Sequence, residues 1–136
     1  TELGNVQLYA KFMFGTSGLE YKKYDEYAEI KGYNGQEADV LIPEYYDGLP
    51  IMSIGRASFF SNNTVKSITL TEHIISIGTE AFKDCSSLRK IIVQDNIEFI
   101  GDGAFVGCAD NIEIAIKNNS YVERYCSAHK ITWSAL

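Results

Sequence analysis

Ile77-Gly78-Thr79-Glu80-Ala81-Phe82-Lys83-Asp84-Cys85-Ser86-Ser87-Leu88-Arg89-Lys90-Ile91 decides the fold, because most of it recurs at one fixed distance along the chain. Ile-Gly pairs stand at Ile54-Gly55, Ile77-Gly78 and Ile100-Gly101, 23 residues apart each time. In that register Phe59, Phe82 and Phe105 coincide, preceded by Ser58, Ala81 and Ala104 and followed three residues on by Asn62, Cys85 and Cys108. Val65 then falls with Leu88. The pairs Ile68/Leu70, Ile91/Val93 and Ile114/Ile116 alternate with polar or small residues, as a strand with one face on a core does. The third unit slips by one residue, with Ile112 standing where Leu88 predicts Asn111, which suggests a bulge where the array ends.

One short strand and its return path cannot bury their own apolar side, so units of this kind stack, and each column becomes a ladder of like residues. The period lies inside the range of about 20–29 residues over which leucine-rich repeats run. The Gly of each Ile-Gly is expected to serve a tight turn with positive φ, and the Ala-Phe pair to lie on a short helical turn filling the convex side. Lys83, one residue past the Phe column, is then expected to face solvent. Ser58 and Asn62 make the first unit the least regular, and its packing is expected to be looser.

These residues carry a resemblance. Residues 77–91 resemble the BspA-type leucine-rich-repeat family, whose unit reads roughly I-G-x-x-A-F-x-x-C-x-x-L-x-x-I, and Ile100-Gly-Asp-Gly-Ala-Phe-Val-Gly-Cys108 matches equally well. Upstream, residues 32–51 are similar to the segment that leads into this array, where an Ile42-Pro43 strand passes through a Gly48-Leu49-Pro50 turn to the first Ile-Gly. The likeness covers about residues 19–133. It implies secreted or surface-anchored bacterial proteins that adhere to host proteins or other cells.

The fold expected is α+β: a short right-handed leucine-rich-repeat solenoid of 23-residue units, with an N-terminal β-hairpin cap and a C-terminal helical cap. Residues 54–119 hold the repeats, 19–53 the N-terminal cap and lead-in strand, and 120–136 the C-terminal cap. Residues 1–18 form an extension or extra strand, since Val6, Leu8, Ala10, Phe12 and Phe14 alternate. Leu19–Tyr24 and Tyr27–Tyr33 flank Asp25-Glu26 as a hairpin should. Ser120 and Glu123 have capping-box spacing, Val122, Tyr125, Cys126 and His129 then share one helix face, and Ile131–Trp133 can add a final strand.

Composition narrows the function. A chain of 136 residues with 46% hydrophobic content forms one domain with a continuous core. Twelve Lys and Arg against 18 Asp and Glu give a net charge of −6, which argues against nucleic acid and anionic lipid as partners. Apolar runs fall far short of the roughly 20 residues that span a bilayer, so this segment is not expected to insert. Thr1 is not an initiator Met and no basic-then-apolar leader follows, so it reads as a cleavage point or expression boundary rather than the start of the gene.

Three cysteines, Cys85, Cys108 and Cys126, are an odd set without C-x-x-C pairing, and two of them sit in core columns, so neither zinc, redox nor a disulfide framework is expected. His73 and His129 do not converge with a nucleophile. No calcium-loop or phosphate-loop spacing occurs, and Gly101-Asp102-Gly103 belongs to the repeat. No cofactor, metal or enzyme activity is expected.

What remains is a surface. Strand residues pointing away from the core form rows across the concave sheet: Asp39, Ser67, Lys90 and Glu113; Leu41, Thr69, Ile92 and Ala115; Pro43, Thr71, Gln94 and Lys117. Solenoids bind through such extended faces. The expected binding residues are Leu41, Ser67, Thr69, Lys90, Ile92, Gln94, Glu113 and Ala115, with Leu41 beside Ile92 as an apolar spot. The partner expected is a protein, host-derived or on a cell surface, met outside the cell. A carbohydrate-binding or spacer domain attached to a larger surface protein is the alternative. Tyr21, Tyr24, Tyr27, Tyr33, Tyr45 and Tyr46 keep carbohydrate open, because such rings suit sugar stacking as well as cap packing.

Overall fold

The computed structural model describes residues 14–136. The strand expected over residues 6–14 lies outside them save for Phe14. The chain winds as a stack of coils, each contributing to two parallel sheets and a third, turn-built side. One sheet holds, from N- to C-terminal end, β3 (Asp39–Leu41), β6 (Ser67–Thr69), β8 (Lys90–Val93), β10 (Glu113–Ile116) and β11 (Thr132–Ala135), all parallel. The other holds β2 (Ala28–Tyr33), β5 (Leu49–Ile54), β7 (Ser76–Ile77) and β9 (Phe99–Ile100), also parallel. β1 (Leu19–Lys23) joins β2 as the antiparallel hairpin expected, and β4 (Tyr45–Tyr46) folds back on β5. The second sheet is not announced by the sequence, because its strands β7 and β9 are only two residues long.

Ile68, Leu70, Ile91, Val93, Ile114 and Ile116 are all buried, as the alternation requires. The slip in the third unit is not a bulge. β10 pairs with β8 in unbroken register, Glu113 opposite Lys90 through Ile116 opposite Val93. Cys108 to Ile114 is the same separation as Cys85 to Ile91, so no residue is inserted. The preceding turn is instead shifted by one position, with Ile112 N–H bonded to Ala109 O as Leu88 N–H is to Cys85 O, and Ile112 still reaches the core.

On the third side, hydrogen bonds alternate between the turn and the neighbouring coil. Ser58, Phe60 and Asn62 N–H groups bond three residues back, to Gly55, Ala57 and Phe59, while Ala57, Phe59 and Ser61 bond across to Thr79, Ala81 and Lys83. Where a single short helical turn is expected, consecutive turns run instead, each also bonded to the next coil, so the return path is itself laddered. The Ile-Gly glycines are not at positive φ. That conformation falls instead on Ala57, Glu80 and Gly103, and on Ser61, Asp84 and Gly107, again 23 residues apart. The Ile-Gly column needs glycine for close approach: a Cβ on Gly78 would stand 2.7 Å from Arg56 N and 2.9 Å from Gly55 C, so any side chain would wedge the coils apart.

The Phe column becomes a continuous aromatic stack, with centroids 5.2 Å apart for Phe59–Phe82 and 5.5 Å for Phe82–Phe105. Tyr33 extends it at one end and Tyr125, then His129, at the other. The Cys column ties coils together, since Cys85 Sγ donates to Phe59 O (3.0 Å) and Cys108 Sγ to Phe82 O (3.1 Å). Asn62 stands at the head of that column and closes its own turn instead, accepting from Thr64 and Val65 N–H.

At the C-terminal end, α1 (Ser120–His129) buries Val122 and Cys126. Its N-cap is Asn119, not Ser120. The Asn119 side chain accepts from Val122 N–H and donates to Ile97 O (2.9 Å), so one buried amide both starts the helix and clips it to the last coil. The Tyr121 hydroxyl accepts from Ile100 N–H at the edge of β9. At the other end, Thr16 occupies the edge of β3, donating its N–H to Leu41 O and accepting from Leu41 N–H.

Candidate binding face

Parallel register places the outward residues of the five-stranded sheet in straight rows. Asp39, Ser67, Lys90, Glu113 and Thr132 lie opposite one another, as do Leu41, Thr69, Ile92, Ala115 and Ser134. With strands about 4.8 Å apart, Leu41 and Ile92 are not adjacent: Thr69 stands between them, and all three are half-buried. The apolar row is flanked by a polar one, in which Ser67 Oγ donates to Asp39 (2.7 Å), Lys90 is exposed, and Glu113 accepts from Ser134 Oγ (2.6 Å).

Two expected members of the face are not available. Ala115 is only 2% exposed, because its short side chain lies low between β8 and β11. Pro43 is buried, and its ring fills the space where Gly15 has no Cβ. Thr71 and Gln94 continue the third row half-buried, with Gln94 Nε2 directed at Leu70 O, and Lys117 is exposed at its end.

The structure gathers Leu41, Thr69, Thr71 and Gln94 around a hollow of about 190 Å³ at the C-terminal ends of β3 and β6. Ile42, Leu70, Glu44 and Glu72 complete it. Sequence reasoning missed these four. They stand on or just past the strand ends, and the spacing from Asp39 to Ser67 is 28 residues rather than 23, so repeat register alone does not bring Glu44 to Glu72.

The remaining chemistry-bearing groups serve packing. Burial pushes the Cys85 thiol up to about 12 and those of Cys108 and Cys126 up to about 11, which leaves them protonated and poorly nucleophilic. His73 packs on the Tyr45 ring at 5.2 Å, and His129 Nδ1 lies 2.9 Å from Tyr125 O. Among the described residues, no group of three or more His, Cys, Asp or Glu side chains is placed to hold a metal, and no helix is long and apolar enough to cross a membrane. Lys83 is not a free convex charge: it pairs with Glu80 at 2.9 Å and reaches over the Phe60 ring.

The tyrosine-rich region divides. Tyr33 packs on the core stack, and Tyr24 stacks on Tyr27 at 4.6 Å. Tyr21 stacks on Tyr46 at 4.0 Å, and burial with Tyr46 alongside pushes its hydroxyl up to about 12. Tyr45, 52% exposed, and Phe14, 73% exposed, share a second hollow with Tyr21, Tyr46 and Asp47.

The BspA type leucine rich repeat region matches residues 50–132 in six copies. Among solved structures, a leucine rich cell surface protein of Faecalibacterium prausnitzii A2-165 is 27% identical with a TM-score of 0.63, over 73% of this chain and 28% of that one. A leucine-rich repeat protein of Bacteroides ovatus ATCC 8483 shares the fold at 20% identity and a TM-score of 0.57, over 89% of this chain and 40% of that one. The chain therefore spans well under half the length of either relative. No curated protein matches it. Stacked parallel strands at a 23-residue spacing, the aromatic and thiol columns and the matched repeat region lead to one conclusion: the chain belongs to the BspA-type leucine-rich-repeat family.

Proposed function

We propose that the chain is a non-catalytic binding module of a secreted or cell-surface protein, and that it captures a protein partner on the outward face of its five-stranded sheet. The observation that carries this reading is the half-buried row Leu41–Thr69–Ile92 set beside the polar row Asp39–Ser67–Lys90–Glu113. An apolar centre with a polar surround is the layout of a protein interface. The outward row of the other sheet, Glu29, Ser53, Ser76 and Phe99, is polar up to its last strand. The surface location rests on the cell-surface relative from Faecalibacterium. Carbohydrate binding is the second reading, favoured by the exposed Tyr45 and Phe14 around their own hollow.

The test compares Ile92→Glu with Glu98→Lys, an exposed charge beside β9 on the other sheet. Both variants are first matched to wild type by circular dichroism and melting, then offered immobilised matrix proteins, whole cells and a glycan array. Ile92→Glu is expected to weaken capture of a protein by roughly thirtyfold or more, since centres of interfaces carry most of the binding energy. Glu98→Lys is expected to leave it unchanged. Equal retention of every captured ligand by both variants contradicts the sheet-face reading, and loss of glycan capture on Tyr45→Ala alone favours the second.

A further inference from the structure

The hollow beside Leu41 has a composition that the rest of the sheet face lacks. Its floor is apolar, formed by Leu41 and Leu70, and its rim carries two exposed carboxylates, Glu44 and Glu72. No Lys, Arg or His among the described residues lines it. Among the described residues, ion pairs join Lys23 to Asp47 and Lys83 to Glu80, and neither rim carboxylate takes part in one. In its wall the Thr71 hydroxyl is shielded from solvent without a hydrogen-bond partner. At about 190 Å³ the space is smaller than the roughly 300–1,000 Å³ of small-molecule sites, and suits a single long side chain.

We propose that this hollow receives a lysine or arginine side chain of the protein partner. Such a side chain lays its methylene stem on Leu41 and Leu70 and carries its cation to the carboxylates of Glu44 and Glu72. Charge complementarity selects this occupant: an acidic or apolar side chain would leave both carboxylates unanswered, and a net charge of −6 favours a basic partner overall. The assignment rests on the sheet-face reading and adds the chemistry that the face selects.

Its test needs no identified partner. Nα-acetyl-lysine methylamide and Nα-acetyl-arginine methylamide are titrated into the ¹⁵N-labelled protein, with Nα-acetyl-norleucine methylamide as the uncharged counterpart. Saturable amide shifts confined to residues 41, 42, 44 and 69–72, at least about tenfold tighter for one of the cations than for norleucine, are expected. They should disappear in the Glu44→Gln/Glu72→Gln double variant and persist in Glu98→Lys on the other sheet. Scattered shifts, equal binding of norleucine, or an unaltered response in the double variant overturns the proposal. A captured protein that is lost by Ile92→Glu yet fully retained by the double variant overturns it too, while leaving the sheet-face reading intact.

Discussion

The coil from Ile54 to Leu70 and the coil from Ile77 to Val93 make matching backbone hydrogen bonds through residues 57–62 and 80–85, then close their turns and fill their interiors differently. Leu88 N–H bonds to Cys85 O where Val65 N–H bonds to the Asn62 side chain. In the second, Ala81 and Cys85 sit around Phe82, and the thiol donates to the coil below. In the first, Ser58 and Asn62 take those places: Asn62 turns its amide to its own loop, and the Ser58 hydroxyl is buried without a partner. The Phe ring is held equally in both. Phe59 is 2% exposed between Tyr33 and Phe82, and Phe82 is 0% exposed between Phe59 and Phe105. The expectation of a looser first unit is therefore wrong for its aromatic column. The laddered backbone fixes the ring positions, and a departure in the neighbouring columns is tolerated when its polar atoms find another partner. Asn62 meets that condition and Ser58 does not.

The largest effect that separates these accounts is loss of a ring. Phe82→Ala is expected to cost about 3–5 kcal/mol, and Phe59→Ala the same within error, because each removes a buried ring with aromatic neighbours on both sides. Urea melts of the two variants decide this. A Phe59→Ala midpoint close to wild type would restore the looser first unit.

Exchanging the small residue beside the ring has a smaller effect, of opposite sign in the two coils. Ala81→Ser places an unpartnered hydroxyl in a fully buried site and is expected to destabilise by about 1–3 kcal/mol. Ser58→Ala removes one and is expected to stabilise by about 1 kcal/mol. If Ser58→Ala lowers the melting midpoint, its hydroxyl has a partner and the two coils differ less than argued.

The comparison also explains what the sequence disclosed. Columns of like apolar residues at constant spacing reveal the coils, the Phe stack and the outward rows, because each depends on residue type at a fixed interval. Features that depend on backbone meeting backbone are hidden: the two-residue strands at Ser76–Ile77 and Phe99–Ile100, the close approach at Gly78, and the left-handed positions held by Ala57 and Glu80 as well as Gly103. The stack's ends at Tyr33 and Tyr125 lie outside the period, so no column points to them. For the binding face, Leu41, Thr69, Ile92 and Gln94 were legible as row members. Burial of Ala115 was not, since it depends on β11 lying alongside, and neither was the hollow, which depends on the longer lead-in coil.

The central claim is that alternate strand residues face a laddered core and an open sheet face, and thiol labelling reads both sides at once. The native thiols stay neutral where an ordinary one at 9.0 ionises, because burial holds them near 11–12. The folded state thus retains protons that the unfolded state releases, so stability is expected to fall as pH rises through about 9 to 12. A water-soluble maleimide at pH 7.5, followed by intact mass, is expected to leave Cys85, Cys108 and Cys126 of the native protein unmodified over minutes and to add one label to Ile92→Cys. Rapid labelling of Cys85 or Cys108 in the native protein, or an Ile92→Cys protein that labels only after denaturation, would contradict the account.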